Sequence, residues 1–202
     1  MENPAQQLRF IKNNLFQMRV IILIYFLNML VSEQFYKEPS FDILKKSKNI
    51  EVRIYKENII AKTSVPLSDE RIDNSMFRTL ASYIFGENEK GQRIPMTAPV
   101  TTIKNEETYD MIFYMLNVEN IEELPNPTNP NIEFEKLNLG KCASISFSWL
   151  TNDFRVKYYK KQLKKYIEDN GYTPISPFML NRYDSPWTLP WNRRNEILVK
   201  IK

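Results

Sequence analysis

Apolar residues recur at helical spacing over two stretches of the chain and alternate with polar ones over most of the remainder. Ile72, Met76, Leu80 and Ile84 return every four positions, and Phe77 and Ala81 widen the stripe, so an amphipathic helix is predicted over 69–85. Ser68 stands ahead of it as an N-cap, and Asp69 and Glu70 sit at the positive end of its dipole. A second helix is predicted over 153–170. Tyr159, Leu163, Tyr166 and Ile167 form its apolar face, and Lys157, Lys160, Lys161, Lys164 and Lys165 its wet one. Strand-like runs flank each helix in pairs: 50–55, 58–65, 93–103 and 108–117 around the first, and 132–138, 141–150, 175–184 and 194–200 around the second. Gly86 and Gly171 fall where the two helices should end, and Gly140 falls where a hairpin turn should join two strands.

The order ββαββ therefore occurs twice, over about 50–117 and 132–201, joined by a connection at 119–131 that holds Pro125, Pro127 and Pro130. Neither half can easily bury the sheet face opposite its helix. Pairing the halves into one barrel-like sheet with two helices solves this, so the reading is a single α+β domain over 35–202 built from two pseudo-symmetric ββαββ-type repeats.

The apolar run at 20–31 is short for a membrane span, which needs ~20 residues. Arg9, Lys12 and Arg19 precede it, as in the basic and apolar regions of a secretory signal peptide. Residues 1–32 are thus expected to be a signal peptide and the protein secreted. A retained membrane anchor and an N-terminal helix packed on a cytoplasmic domain are the alternatives. The only membrane contact expected is through 20–31, if that run is retained.

Composition narrows the chemistry. The chain of 202 residues has a net charge of +4, too weak to imply a nucleic-acid partner. Histidine is absent, which excludes an imidazole base and any His-ligated zinc or haem iron. Cys142 is the only cysteine and sits among apolar and small residues, as a buried hydrophobe does. No catalytic residue and no metal site are expected.

Two segments echo each other, Pro95-Met96-Thr97-Ala98-Pro99 and Pro186-Trp187-Thr188-Leu189-Pro190. Prolines four apart cannot sit inside a central ladder, so both are loops or edges, with threonine bonding backbone groups left unpaired. The second runs into Arg193-Arg194-Asn195-Glu196. Glu196 invites a reading as a general base, but a charge pair and a hydrogen-bonding asparagine that close the barrel is the preferred reading. Trp187 and Trp191, large aromatics on a proline-stiffened loop, suggest a binding surface or a cover over the barrel mouth.

Glu51-Val52-Arg53-Ile54-Tyr55, Tyr83-Ile84-Phe85-Gly86-Glu87-Asn88, Ile94–Val100 and Tyr183–Asn195 followed by Glu196-Ile197 together resemble the SOUL haem-binding protein family over about 35–202. The resemblance implies a distorted β-barrel and a non-enzymatic protein that binds haem or another tetrapyrrole non-covalently, and a monomer is expected. It implies a groove between the first helix and the loop joining the last two strands. Phe77, Leu80, Ala81 and Ile84 would line one side, and Trp187, Leu189 and Trp191 the other, with Arg78 or Arg182 meeting the propionates. Asn74, Ser82 and Thr188 stand where some relatives carry basic groups. An axial bond to iron would fall to Tyr83, Tyr183, Met76 or Cys142. A protein-interaction module that has lost its tetrapyrrole is the alternative on the same fold. The mature chain is expected to begin near Glu33; mass spectrometry of the native protein checks this, and an intact Met1–Ser32 contradicts it.

Overall fold

The computed structural model describes residues 18–19, 36–68 and 72–202, with residues 72 and 73 described in their backbone alone. Apart from Met18 and Arg19, these belong to one compact unit, Tyr36–Lys202. The apolar run at 20–31 and the Asp69–Glu70 helix start lie outside the described residues. Among the described residues no helix is long and apolar enough to cross a membrane.

The elements follow in the order β1 (Phe41–Ser47), β2 (Ile50–Pro66), α1 (Ile72–Ile84), β3 (Val100–Lys104), β4 (Thr108–Tyr114), β5 (Glu133–Phe147), α2 (Asp153–Asp169), β6 (Met179–Arg182) and β7 (Asn195–Lys200). Six strands, all antiparallel, close into a barrel in the order β2-β4-β3-β6-β7-β5 and back to β2. Closure removes the free edges of an open sheet. β1 adds to the first half of β2 outside the ring.

Two expected strand pairs are single strands. The runs at 50–55 and 58–65 are both β2, and those at 132–138 and 141–150 are both β5. The two long strands pair in one unbroken register from Ile50↔Ile145 to Lys62↔Glu133, and Gly140 lies inside the ladder opposite Tyr55 rather than in a hairpin turn. The sequence looks divided because each strand changes face midway. Val52 points to one outer cluster and Tyr55 to the barrel, but further on Ile60 points inward while Ile59 and Ala61 point outward. In β5 the inward set moves from Leu137 and Leu139 to Cys142 on passing Gly140. Gly140 takes φ 57°, a left-handed conformation that glycine adopts without strain. The change of phase bends the strand around the barrel.

Each helix is therefore preceded by one long barrel strand and followed by two short ones. β1 escaped the alternation test because its register shifts between Ile43 and Lys45. Both helices match their predicted stretches to within three residues at each end. α2 is capped by Asn152, whose side chain accepts from the Arg155 amide at 2.9 Å.

Side chains pack in three places. Met76, Leu80, Tyr83 and Ile84 of α1 cover Ile59, Ala61, Met111 and Phe113. Leu163 and Ile167 of α2 cover Ala143, Ile145, Ile197 and Val199. The alternate residues of the same strands fill the barrel, with Leu139, Cys142, Met179 and Leu198 beside Ile60, Ile112 and Tyr114. A Cβ on Gly140 would meet nothing nearer than the Asn138 Oδ1 at 3.6 Å. Gly140→Ala is accordingly expected to cost about 1–2 kcal/mol through the backbone alone; urea denaturation measures it, and unchanged stability contradicts the assignment.

Candidate functional site

The aromatic end of the barrel is built by the β6–β7 loop and the β5–α2 connection. The loop is tied to itself. Arg193 donates from Nε to the Thr188 carbonyl at 2.8 Å and from Nη2 to the Pro186 carbonyl at 2.5 Å. The Thr188 amide donates to the Ser185 carbonyl, and the Trp187 amide to the Ser185 hydroxyl. Pro190–Asn192 forms one 3-10 turn. This scaffold presents Trp187 with 84% of its surface exposed and Trp191 with 56%. Leu189 is half-buried.

Trp191 meets a third tryptophan that sequence reading did not single out. Its ring lies edge-on to Trp149 at 6.3 Å between centroids. Trp149 has φ 78°, unusual for a bulky residue. Both of its peptide groups are held there: its amide donates to the Pro190 carbonyl at 2.8 Å, and its carbonyl accepts from the buried Asn195 side chain at 2.8 Å. Its indole remains half in solvent. Only its place in Ser148-Trp149-Leu150-Thr151, just before a helix cap, hinted at exposure.

The α1 residues behave differently. Leu80 and Ile84 are fully buried in the layer between helix and barrel, and Ala81 is nearly so. Phe77 is partly exposed and packs edge-on against Phe113 of β4 at 5.5 Å. Arg78 is exposed. Arg182 is half-buried and donates to the Thr151 hydroxyl at 3.1 Å. The ring contact of the loop thus goes to the segment ahead of α2, and those of α1 go to β4 and β5. A cleft of about 310 Å3 runs beside Phe147, Trp191, Arg193 and Arg194. Another of about 420 Å3 lies between Lys37, Glu57, Met115 and Lys136. Neither is lined by α1.

Glu196 points into the barrel and is sealed there. Arg53 of β2 grips it with two parallel bonds, at 2.7 and 3.0 Å. Tyr183 donates to it at 2.9 Å, and Ser146 and Ser144 at 3.2 and 3.4 Å. Arg53 is itself satisfied by Glu51 at 2.8 Å and the Tyr55 hydroxyl at 3.0 Å. Burial opposes the charge on Glu196, but the hydrogen bonds and charge of Arg53 outweigh it, and its pKa lies below the ordinary 4.5. Burial pushes the Tyr183 and Tyr55 hydroxyls up. A carboxylate held by four donors and closed to water is a structural anion, not a base in contact with substrate. The pair that closes the barrel is Arg53–Glu196. The neighbouring Arg194 instead pairs with Glu38 and stacks on Tyr183.

The candidate axial ligands are all engaged. Met76, Tyr83 and Cys142 are buried, the Tyr83 hydroxyl donates to the Pro125 carbonyl at 2.9 Å, and the Tyr183 hydroxyl is spent on Glu196. Burial raises the Cys142 thiol to about 12, so it stays protonated. Thr97 of the first proline segment donates to the Tyr114 carbonyl at 2.6 Å, as a threonine in such a loop should.

This is a closed barrel with an aromatic rim, and the chain belongs to the SOUL haem-binding protein family: the family model described as SOUL heme-binding protein matches residues 36–200. No curated protein matches it. Among solved structures, the fold is similar to the EcmrR C-terminal domain (13% identity, TM-score 0.59, covering 76% of this chain and 96% of that one). It is also similar to a hydrolase from Listeria innocua (8% identity, TM-score 0.55, covering 79% and 94%). EcmrR in its DNA complex gives 14% identity and a TM-score of 0.59, covering 98% of this chain and 70% of that one. At these identities the likeness is one of fold alone.

Glu196→Gln removes a buried charge partner and strands Arg53, so a loss of about 3–5 kcal/mol is expected at neutral pH. Because folding depresses the Glu196 pKa, its contribution is fully present above pH 4.5 and fades as pH falls through the folded value. The stability gap between parent and variant, measured by denaturation at pH 7 and then below 4.5, should therefore narrow in acid. A gap that is absent, or that widens in acid, contradicts the assignment.

Proposed function

We propose that the domain holds a haem or another tetrapyrrole non-covalently, in a groove between the exposed side of α1 and the β6–β7 loop, and catalyses no reaction on it. The observation that carries this reading is the clamped loop: in a member of a haem-binding family, it spends an arginine and a proline-framed turn on displaying two tryptophans to solvent. A porphyrin is a large flat apolar plate, and indole faces stack on such plates. At ~25 cal/mol per Å2 of apolar surface buried, its faces can supply micromolar binding without a bond to the metal.

The residues present fit the plate and not an iron bond. Trp187 and Trp191 offer ring faces, Phe77 an aromatic edge on α1, and Arg78 a solvent-facing cation for a propionate. Leu80, Ala81 and Ile84 support α1 from beneath. Tyr83, Met76, Cys142 and Tyr183 are committed to the interior, and the chain has no histidine. Affinity in this reading comes from stacking and rim charge, and iron-free protoporphyrin should bind about as well as hemin.

Titration of the purified protein with hemin is expected to shift the Soret band and quench tryptophan fluorescence. Trp187→Ala and Trp191→Ala are each expected to weaken binding by roughly tenfold, the scale of one lost aromatic contact. An unshifted Soret band with unquenched fluorescence contradicts the proposal. A stoichiometric protein partner that co-purifies without Soret absorbance would favour an interaction module that has lost its ligand.

A further inference from the structure

The chain has three tryptophans, and all three stand at one end of the barrel. Trp149 and Trp191 touch, and Trp187 lies in the same loop as Trp191. Leu150 follows Trp149 and is half exposed, and Phe154, the second residue of α2, is 81% exposed. The other exposed apolar residues of the compact unit lie on other elements or further along α2: Ile43, Leu44 and Ile54 on the β1–β2 pair, Phe77 and Phe85 on or just after α1, Tyr158 on α2, and Ile175 alone. A soluble surface seldom gathers five large apolar side chains into one patch without a partner for them.

The patch is built, not incidental. A left-handed backbone at Trp149 is strained for a residue with a side chain, and the buried Asn195 side chain and the Pro190 carbonyl hold it in that state. The result is an indole held half in solvent. The proposed tetrapyrrole groove assigns no role to Trp149, Leu150 or Phe154.

The charge beside the patch points to the occupant. Phe154, Lys157, Tyr158, Lys161 and Lys165 recur at three- and four-residue spacing on the exposed face of α2, opposite its buried Leu163 and Ile167. From Arg155 to Lys165 the helix carries six cations and no acid. Its acids are Asp153 at the start and Glu168 and Asp169 at the end. Lys160 and Lys164 lie over the Phe178 ring, and Lys165 pairs with Asp169. Lys157 and Lys161 make no ion pair among the described residues. Tryptophan and phenylalanine at an apolar tip, with a lysine face rising from it, is the chemistry of a surface that enters the headgroup region of a bilayer. We propose that this end of the barrel, with the lysine face of α2, is a docking surface for an anionic lipid membrane.

The tryptophans report on it directly, because the chain has none elsewhere. With the full chain, vesicles of phosphatidylcholine and phosphatidylserine are expected to shift tryptophan emission to the blue and shield it from acrylamide, and pure phosphatidylcholine to do neither. Phe154→Ser is expected to weaken vesicle binding about tenfold, and Lys157→Glu with Lys161→Glu by more than about tenfold, since each lysine at an anionic surface contributes about fivefold. Circular dichroism confirms that the variants fold. All three positions lie outside the proposed tetrapyrrole groove, so hemin binding should survive these changes, and the two proposals fail separately. Three results overturn docking: no emission shift on anionic vesicles, an equal shift on neutral ones, or variants that bind like the parent, which would assign binding to the apolar run at 20–31. Emission that is already blue and reddens on dilution also overturns it, and gives the patch to a second copy of the chain.

Discussion

The bidentate pair between Arg53 and Glu196 ties together strands that lie apart in sequence and decides what the inside of the barrel can be. Two opposite charges taken out of water lose several kcal/mol of hydration each, and only good geometry and full hydrogen bonding restore it. Here both conditions hold. Each carboxylate oxygen of Glu196 receives an Arg53 N–H together with at least one hydroxyl, and Arg53 spends its remaining donors on Glu51 and Tyr55. The network spans β2, β5, the start of the β6–β7 loop and β7, so the ring of strands is fastened from within as well as by its ladders. Such a satisfied network leaves no lone pair for a substrate. With Leu139, Cys142, Met179 and Leu198 filling the neighbouring space, the interior is a packed core, which leaves the outside for the proposed ligand.

The same network shapes that outside. Tyr183 opens the β6–β7 loop and Glu196 follows its end, so the loop is anchored at both feet near one buried charge. Asn195, one residue before Glu196, faces the other way and holds the Trp149 carbonyl. Adjacent residues on one strand therefore fasten the core and aim the aromatic rim. Arg193, one residue earlier, clamps the loop carbonyls. The run Arg193–Glu196 couples the stability of the barrel to the display of its tryptophans, so the closing role preferred from its sequence is joined by a positioning one.

Much of this was legible before the structure. The four-residue recurrence at Met76, Leu80 and Ile84, and the apolar and lysine faces of 153–170, marked both helices, because a helix covering a sheet needs one continuous stripe. The family motifs, and the closing role preferred for Glu196, were legible too. Four things were not. The long strands β2 and β5 looked like pairs because alternation was the only signal, and both strands change face midway at Lys56–Asn58 and at Gly140. The partner of Glu196 was hidden because Arg53 is 143 positions away, and sequence spacing carries nothing across a barrel. Trp149 was absorbed into a strand-like run, although the structure turns it outward with a backbone conformation that no local pattern announces. In the α1 set, residue type marked Leu80 and Ile84 as greasy, and only the coordinates show that their grease is already covered.

The central claim is that a filled barrel binds from its rim. Chemical-shift mapping of the isotope-labelled protein with diamagnetic protoporphyrin tests it most directly. The account expects changes concentrated at Phe77, Arg78 and the 186–192 loop, with the amides of Arg53, Ser144, Leu198 and Cys142 unmoved. Large shifts inside the barrel, with the loop unchanged, would contradict it.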